Sequence, residues 1–101
     1  MSAVVVTPAA REDLERLIRT HTLPADTRDR VRRTLAPLAR FLLLGALLAG
    51  QWEGLRFILG PWRWMIVVYE YDEHADRVAI LTIQDGRASR AATGDKRWLR
   101  R

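Results

Sequence analysis

The apolar residues of this chain change their spacing near its middle, and that change restricts the fold more than any other feature. Before the uncharged run at residues 41–49 they recur at helical intervals, and from Trp52 onward they alternate. A period of 3.6 marks an amphipathic helix, and a period of two marks a strand with one buried face. Helices first and strands afterwards, within 101 residues, bury both apolar sides as an α+β domain with its helices on one face of a sheet.

Val4-Val5-Val6 is a β-branched run and reads as a first strand. Thr7 can cap a helix and Pro8 suits its first position. Glu12 and Asp13 follow where the helix dipole favours acids. Ala10, Leu14, Leu17, Ile18 and His21 recur at helical spacing, so a first helix spans residues 8 to about 21. Leu23-Pro24-Ala25-Asp26 breaks it and starts a second, with Val31, Leu35 and Leu38 on one face and Arg28, Arg30, Arg32 and Arg33 over most of the rest. Pro37 ends that helix near Ala36. So short a turn makes the pair an antiparallel helical hairpin.

Residues 52–59, 62–71 and 77–84 then read as strands, separated by turns at Gly60-Pro61 and at Asp72-Glu73-His74-Ala75-Asp76. Short links make them an antiparallel meander. The expected order is β–α–α–β–β–β, an antiparallel sheet with the helical hairpin packed on one face. Residues 1–90 form the single domain, and residues 91–101 are a basic tail without a pattern, of a kind that is often disordered. Alternation assigns Leu55, Phe57, Leu59, Trp64, Ile66, Val68, Ala79, Leu81 and Ile83 to the helices, and Gly54, Arg56, Ile58, Arg63, Met65, Val67, Thr82 and Gln84 to the open face. Two arginines therefore share that open face.

Composition removes several classes of function. Hydrophobic residues make up 49% of the chain, enough for a core. There is no cysteine, which excludes a disulfide framework, thiol catalysis and cysteine-based zinc sites and fits a reducing cytoplasm. No secretory signal is evident at the start. The apolar run at residues 41–49 is shorter than the about 20 residues a membrane span needs; it reads as a helix end and connector packed on the core, or as apolar surface covered by a partner chain. Two histidines without a spaced acidic cluster argue against a metal, and no Gly-rich loop is present to cradle a phosphate. The net charge of +5 is concentrated in the helices and the tail, and sixteen of the 17 cations are arginine. Its planar, permanent charge suits phosphate recognition, although codon usage accounts for the bulk count equally well.

The element order, Leu55-Arg56, the hairpin Gly60-Pro61-Trp62-Arg63 leading into Val67-Val68-Tyr69, and the ending Ile83-Gln84-Asp85-Gly86-Arg87 together resemble the RelE/ParE toxin superfamily over about residues 3 to 90. The resemblance implies the toxin of a type II toxin–antitoxin pair, held silent by a cognate antitoxin, without a cofactor, and assembled as a homodimer or a toxin–antitoxin hetero-oligomer. RelE-like members cut messenger RNA in the ribosomal decoding site and so inhibit translation. ParE-like members poison DNA gyrase without being enzymes, and a third outcome is a module of the same fold that only binds a partner. In the RelE-like case Arg56, Arg63 and Arg87 match basic residues that surround the scissile phosphate. The C-terminal Tyr or His that would serve as acid or base falls near Thr93 in that pattern, and no Tyr or His follows His74.

Each candidate has a plainer explanation beside it. Arg63, between Trp62 and Trp64, binds a phosphate with a tryptophan ready to stack on a base, or simply lies over an aromatic neighbour. Arg56 serves the phosphate or a cross-strand carboxylate. Arg87, with Arg90 as a backup, is aimed by Gly86 or merely solvated. Lys96 and Arg97 contact RNA or belong to a solvated tail. His21 reads as a cation at a helix C-terminus, His74 lies in an acidic turn, and nothing pairs them. Tyr69 lies six residues from Arg63, roughly 20 Å along a strand, too far to donate a proton there.

Overall fold

Thr7 and Pro8 end the first strand and begin the first helix. In the computed structural model, which describes residues 2–88, β1 spans Ala3–Val6 and α1 spans Pro8–His21. The Thr7 hydroxyl accepts from the Ala10 N–H at 3.2 Å and donates to the Ile80 carbonyl at 2.7 Å, so one side chain caps the helix and fastens it to the sheet. Ala10, Leu14 and Leu17 form the buried stripe of α1, which ends at Thr22 in a left-handed conformation with φ 49°. The second helix, α2, spans Thr27–Leu35 and buries Thr27, Val31 and Leu35. Pro37 stops it as expected, and the chain leaves through a 3₁₀ turn at Ala36–Ala39.

The apolar run at residues 41–49 is neither a helix end nor wholly packed. Its Ala46–Leu47 step forms a short edge strand, β2, which alternation did not reveal. β3 (Arg56–Leu59), β4 (Met65–Asp72) and β5 (Arg77–Asp85) follow. β3 is shorter than expected because Gly50–Trp52 form a 3₁₀ turn and Gly54 turns with φ +91°. The sheet order is β1-β5-β4-β3-β2. The β3–β4–β5 meander is antiparallel, whereas β1 lies parallel to β5. The five-stranded sheet is therefore mixed rather than purely antiparallel. The helical hairpin carries the chain away from β1, and the meander brings β5 back beside it in the same direction.

Alternation separated the two faces of β3 and β4 correctly but assigned them the wrong way round. Ile58, Met65, Val67 and Tyr69 pack with the helices, and Ile66, Val68, Leu55 and Phe57 lie on the other side under Leu48 and Trp52. Both faces of β4 are apolar, so period alone does not say which one the helices take. Tyr69, in phase with Met65 and Val67, is fully buried. In β5 the register skips Leu81 between Val68↔Thr82 and Tyr69↔Ile80. That bulge shifts the phase, so Ile80 and Ile83, three residues apart, both reach the helix-side core.

β1 stops pairing at Ile80. Beyond it, the Asp13 carboxylate of α1 accepts from the Ile83 N–H at 3.2 Å and the Thr82 hydroxyl at 2.6 Å, taking over the donors β1 leaves open. Among the described residues no helix is long and apolar enough to cross a membrane, and no group of His, Cys, Asp and Glu is placed to hold a metal.

Candidate functional site

The β3–β4 hairpin is closed by backbone bonds from the Gly60 N–H to the Met65 carbonyl at 2.8 Å and from the Met65 N–H to the Trp62 carbonyl at 3.0 Å. The Gly86 N–H reaches the Trp64 carbonyl at 2.6 Å, tying the end of β5 to the same turn. Trp62 and Trp64 stack with their ring centres 6.2 Å apart. Both pack partly against the helix-side core.

Cations and a histidine gather on those rings. The Arg30 guanidinium of α2 lies 5.5 Å over Trp62, and that of Arg87 lies 5.0 Å over Trp64. The His21 ring, at the end of α1, stacks on Trp64 at 4.6 Å and 13°. His21 Nε2 is 3.1 Å from Asp85 Oδ2, and its Nδ1 is 3.0 Å from the Thr20 hydroxyl. Arg87 donates from Nε and Nη2 to the two Asp85 oxygens, each at 2.9 Å, and from its backbone N–H to Oδ1 at 2.9 Å. The Arg87 side chain, aided by its backbone N–H and by His21, holds the Asp85 carboxyl far below the usual carboxylate range against the opposing effect of burial. Asp85 also holds the Arg87 guanidinium above its ordinary value.

Arg63 sits in the turn between the two tryptophans, exposed. It is the one cation of this group that meets no hydrogen-bond or ion-pair partner among the described residues. Arg56 is committed elsewhere: its Nη1 donates to the Gly45 carbonyl at 2.8 Å and more weakly to the Leu43 carbonyl at 3.4 Å. Gly45 is itself wedged there, since a Cβ would stand 2.5 Å from the Phe57 carbonyl oxygen and 2.8 Å from the Tyr69 ring. Its N–H donates to the Tyr69 hydroxyl at 2.8 Å. Burial raises the Tyr69 pKa, opposed by that bond and by Arg56.

The structure thus brings Arg63 and Arg87 to one end of the sheet and leaves Arg56 apart. Arg56 faces Tyr69, whereas Asp85 faces Met65; the four residue steps between them along β4 span roughly 13 Å. Arg90, Lys96 and Arg97 lie outside the described residues. The His21–Asp85 pair escaped the sequence, because the two residues are 64 positions apart and neither belongs to a spaced motif.

A second surface lies along the β2 edge. Phe41, Leu43, Leu44 and Leu47 are between 56% and 63% exposed, and Leu59 is 45% exposed. Residues 41–49 carry no charge, and Arg56 is folded back onto their carbonyls.

A mixed five-stranded sheet with a helical hairpin on one face is the fold of RelE/ParE-like toxins, and comparison with known proteins agrees. The family model described as ParE toxin of type II toxin-antitoxin system, parDE, matches residues 4–89. The chain belongs to that family, and it is a type II toxin of the RelE/ParE superfamily. Among solved structures it is similar to a chain of the toxin–antitoxin complex RelBE2 from Mycobacterium tuberculosis, with 23% identity, 83% of this chain and 96% of that chain covered, and a TM-score of 0.56. It is also similar to a chain of the chromosomal ParDE system of P. aeruginosa, at 15% identity, 84% and 96% coverage and a TM-score of 0.65. A chain of the intact E. coli RelBE complex matches at 10% identity, 87% and 100% coverage and a TM-score of 0.62. Identities this low bear on the fold alone. No curated protein matches the chain significantly.

Proposed function

We propose that this toxin inhibits translation by cutting messenger RNA in the ribosome, with the hairpin end of the sheet as its working surface. The observation that carries the reading is Arg63: exposed, without a partner, and set between two stacked tryptophans that already bind cations. A phosphate on Arg63 and a base against Trp62 use the two interactions that single-stranded RNA offers. Arg87 spends Nε and Nη2 on Asp85, which leaves Nη1 to meet the same phosphate. Arg56, held by carbonyl oxygens of the connector, supports that connector and stands outside the phosphate site. Arg90, Lys96 and Arg97 extend the contact along the message. No cofactor is required, since arginines supply the charge stabilisation.

A cognate antitoxin covers the β2 edge in this reading. The solved structures it resembles come from toxin–antitoxin complexes, and five large apolar side chains around an unpaired strand edge are a surface that a partner segment buries. Toxin and antitoxin form the hetero-oligomer, and both work in the cytoplasm.

Purified toxin added to ribosomes holding a defined message tests the main reading. It expects messenger cut within the decoding site, seen as truncated primer-extension products, and no cutting of free messenger. The ParE description of the matching family favours a second reading, poisoning of DNA gyrase. Intact messenger together with accumulated gyrase–DNA cleavage complexes decides for that second reading.

A further inference from the structure

We infer that His21 is the general base of this toxin, taking the place of the C-terminal Tyr or His that the chain lacks. The inference rests on the ribosomal reading above and assigns a residue to it from geometry alone.

Asp85 decides which ring nitrogen of His21 holds the proton. Asp85 is ionised, clamped by two side-chain bonds and one backbone bond from Arg87, and an ionised carboxylate only accepts hydrogen bonds. His21 Nε2, at 3.1 Å, is therefore the donor to Asp85. In the neutral ring Nδ1 is then the acceptor, and it meets only the exposed Thr20 hydroxyl at 3.0 Å. That hydroxyl has an alternative acceptor in the Leu17 carbonyl at 3.5 Å, so it can turn away. A carboxylate that fixes the tautomer, an aromatic face that fixes the ring plane, and a lone pair directed at a displaceable group are what a general base needs. The ring stacks on Trp64, the residue that follows Arg63 in the hairpin turn.

In the reaction, His21 Nδ1 takes the proton of the ribose 2′-hydroxyl and the 2′-oxygen bonds to phosphorus. The bond from phosphorus to the 5′-oxygen breaks, the leaving oxygen takes a proton from water, and the imidazolium returns its own to solvent. The products are a 2′,3′-cyclic phosphate and a 5′-hydroxyl end. Arg63 neutralises the phosphate during this exchange. Asp85 and Arg87 are positioning residues for the base.

The charged groups around His21 are Asp85, which it meets directly, and Arg87, which shares both Asp85 and the Trp64 ring with it, while Arg30 of α2 lies one ring further away on Trp62. The test is single-turnover cleavage on message-loaded ribosomes across mildly acidic to mildly alkaline pH. Wild type is expected to slow on acidification, because a base works in its neutral form. His21→Gln is expected to lose about 10²–10⁴-fold in rate and the acid limb of the profile, and His21→Ala to regain rate when imidazole is added. Asp85→Asn should slow the reaction and alter the profile while leaving some activity. Folding is checked by capture on the antitoxin. Wild type cutting normally while folded His21→Gln keeps the same rate and profile overturns the inference and leaves the ribosomal reading intact. If imidazole gives no recovery in folded His21→Ala, that too overturns it. Wild type cutting nothing overturns the ribosomal reading, and the inference with it.

Discussion

The hairpin end of the sheet and its β2 edge both display large apolar or aromatic side chains, and they differ in what surrounds them. At the hairpin, Trp62 and Trp64 are half-buried under Arg30, Arg87 and His21; Asp85 holds Arg87 and His21, Asp26 holds Arg30, and Arg63 is left unspent. At the β2 edge, Phe41, Leu43, Leu44 and Leu47 stand bare, and Arg56 is turned onto backbone oxygens. A preorganised charged and aromatic cluster suits a polar, anionic ligand, because its groups are aligned before binding. A bare uncharged edge suits a protein, because covering it removes apolar area from water and needs no charge partner. In the proposed function, one small domain thus keeps the surface that acts separate from the surface that is controlled.

Substitutions that strike one surface and spare the other test whether the two are independent. The largest effect is expected for Arg63→Ala: growth arrest falls by about 10²-fold or more, while capture by the antitoxin in a pull-down is unchanged. Leu47→Lys should do the reverse. Placing a charge where a leucine is to be covered forfeits about 1.5–3 kcal/mol of burial, or roughly ten- to a hundredfold in antitoxin affinity by titration calorimetry, with arrest by the free toxin retained. Asp13→Ala touches neither surface. It leaves the Ile83 N–H and the Thr82 hydroxyl without their acceptor and should cost about 1–3 kcal/mol in urea unfolding.

The smallest effect concerns acid stability. The folded-state pKa of Asp85 lies below its unfolded value, so its contribution is complete above the ordinary carboxylate range and is lost as pH falls through the folded-state pKa. Asp85→Asn should therefore be less stable than wild type near neutrality and converge with it in strong acid. Parallel unfolding curves at all pH values would contradict that assignment.

The sequence made the elements legible where local chemistry decides them. Thr7-Pro8 fixed the start of α1, Pro37 the end of α2, and alternation the three meander strands. It failed where the decision is tertiary. β4 is apolar on both faces, so only the packing of Leu48 and Trp52 against Ile66 and Val68 settles which face the helices take. β2 is two residues long and exists because β3 offers it an edge. At the candidate site, the turn around Arg63 and the nearness of Arg87 to Trp64 follow from a hairpin and a strand end that spacing located. The commitment of Arg56 to Gly45 and the meeting of His21 with Asp85 depend on contacts between distant segments, which no local pattern encodes.

The most direct test of the claim that the hairpin end works on messenger RNA is pulse labelling after tight induction of the wild-type toxin in bacteria. The account predicts that methionine incorporation falls within the first minutes while thymidine incorporation continues. A fall in thymidine incorporation with methionine incorporation intact would contradict it and move the target from the ribosome to DNA.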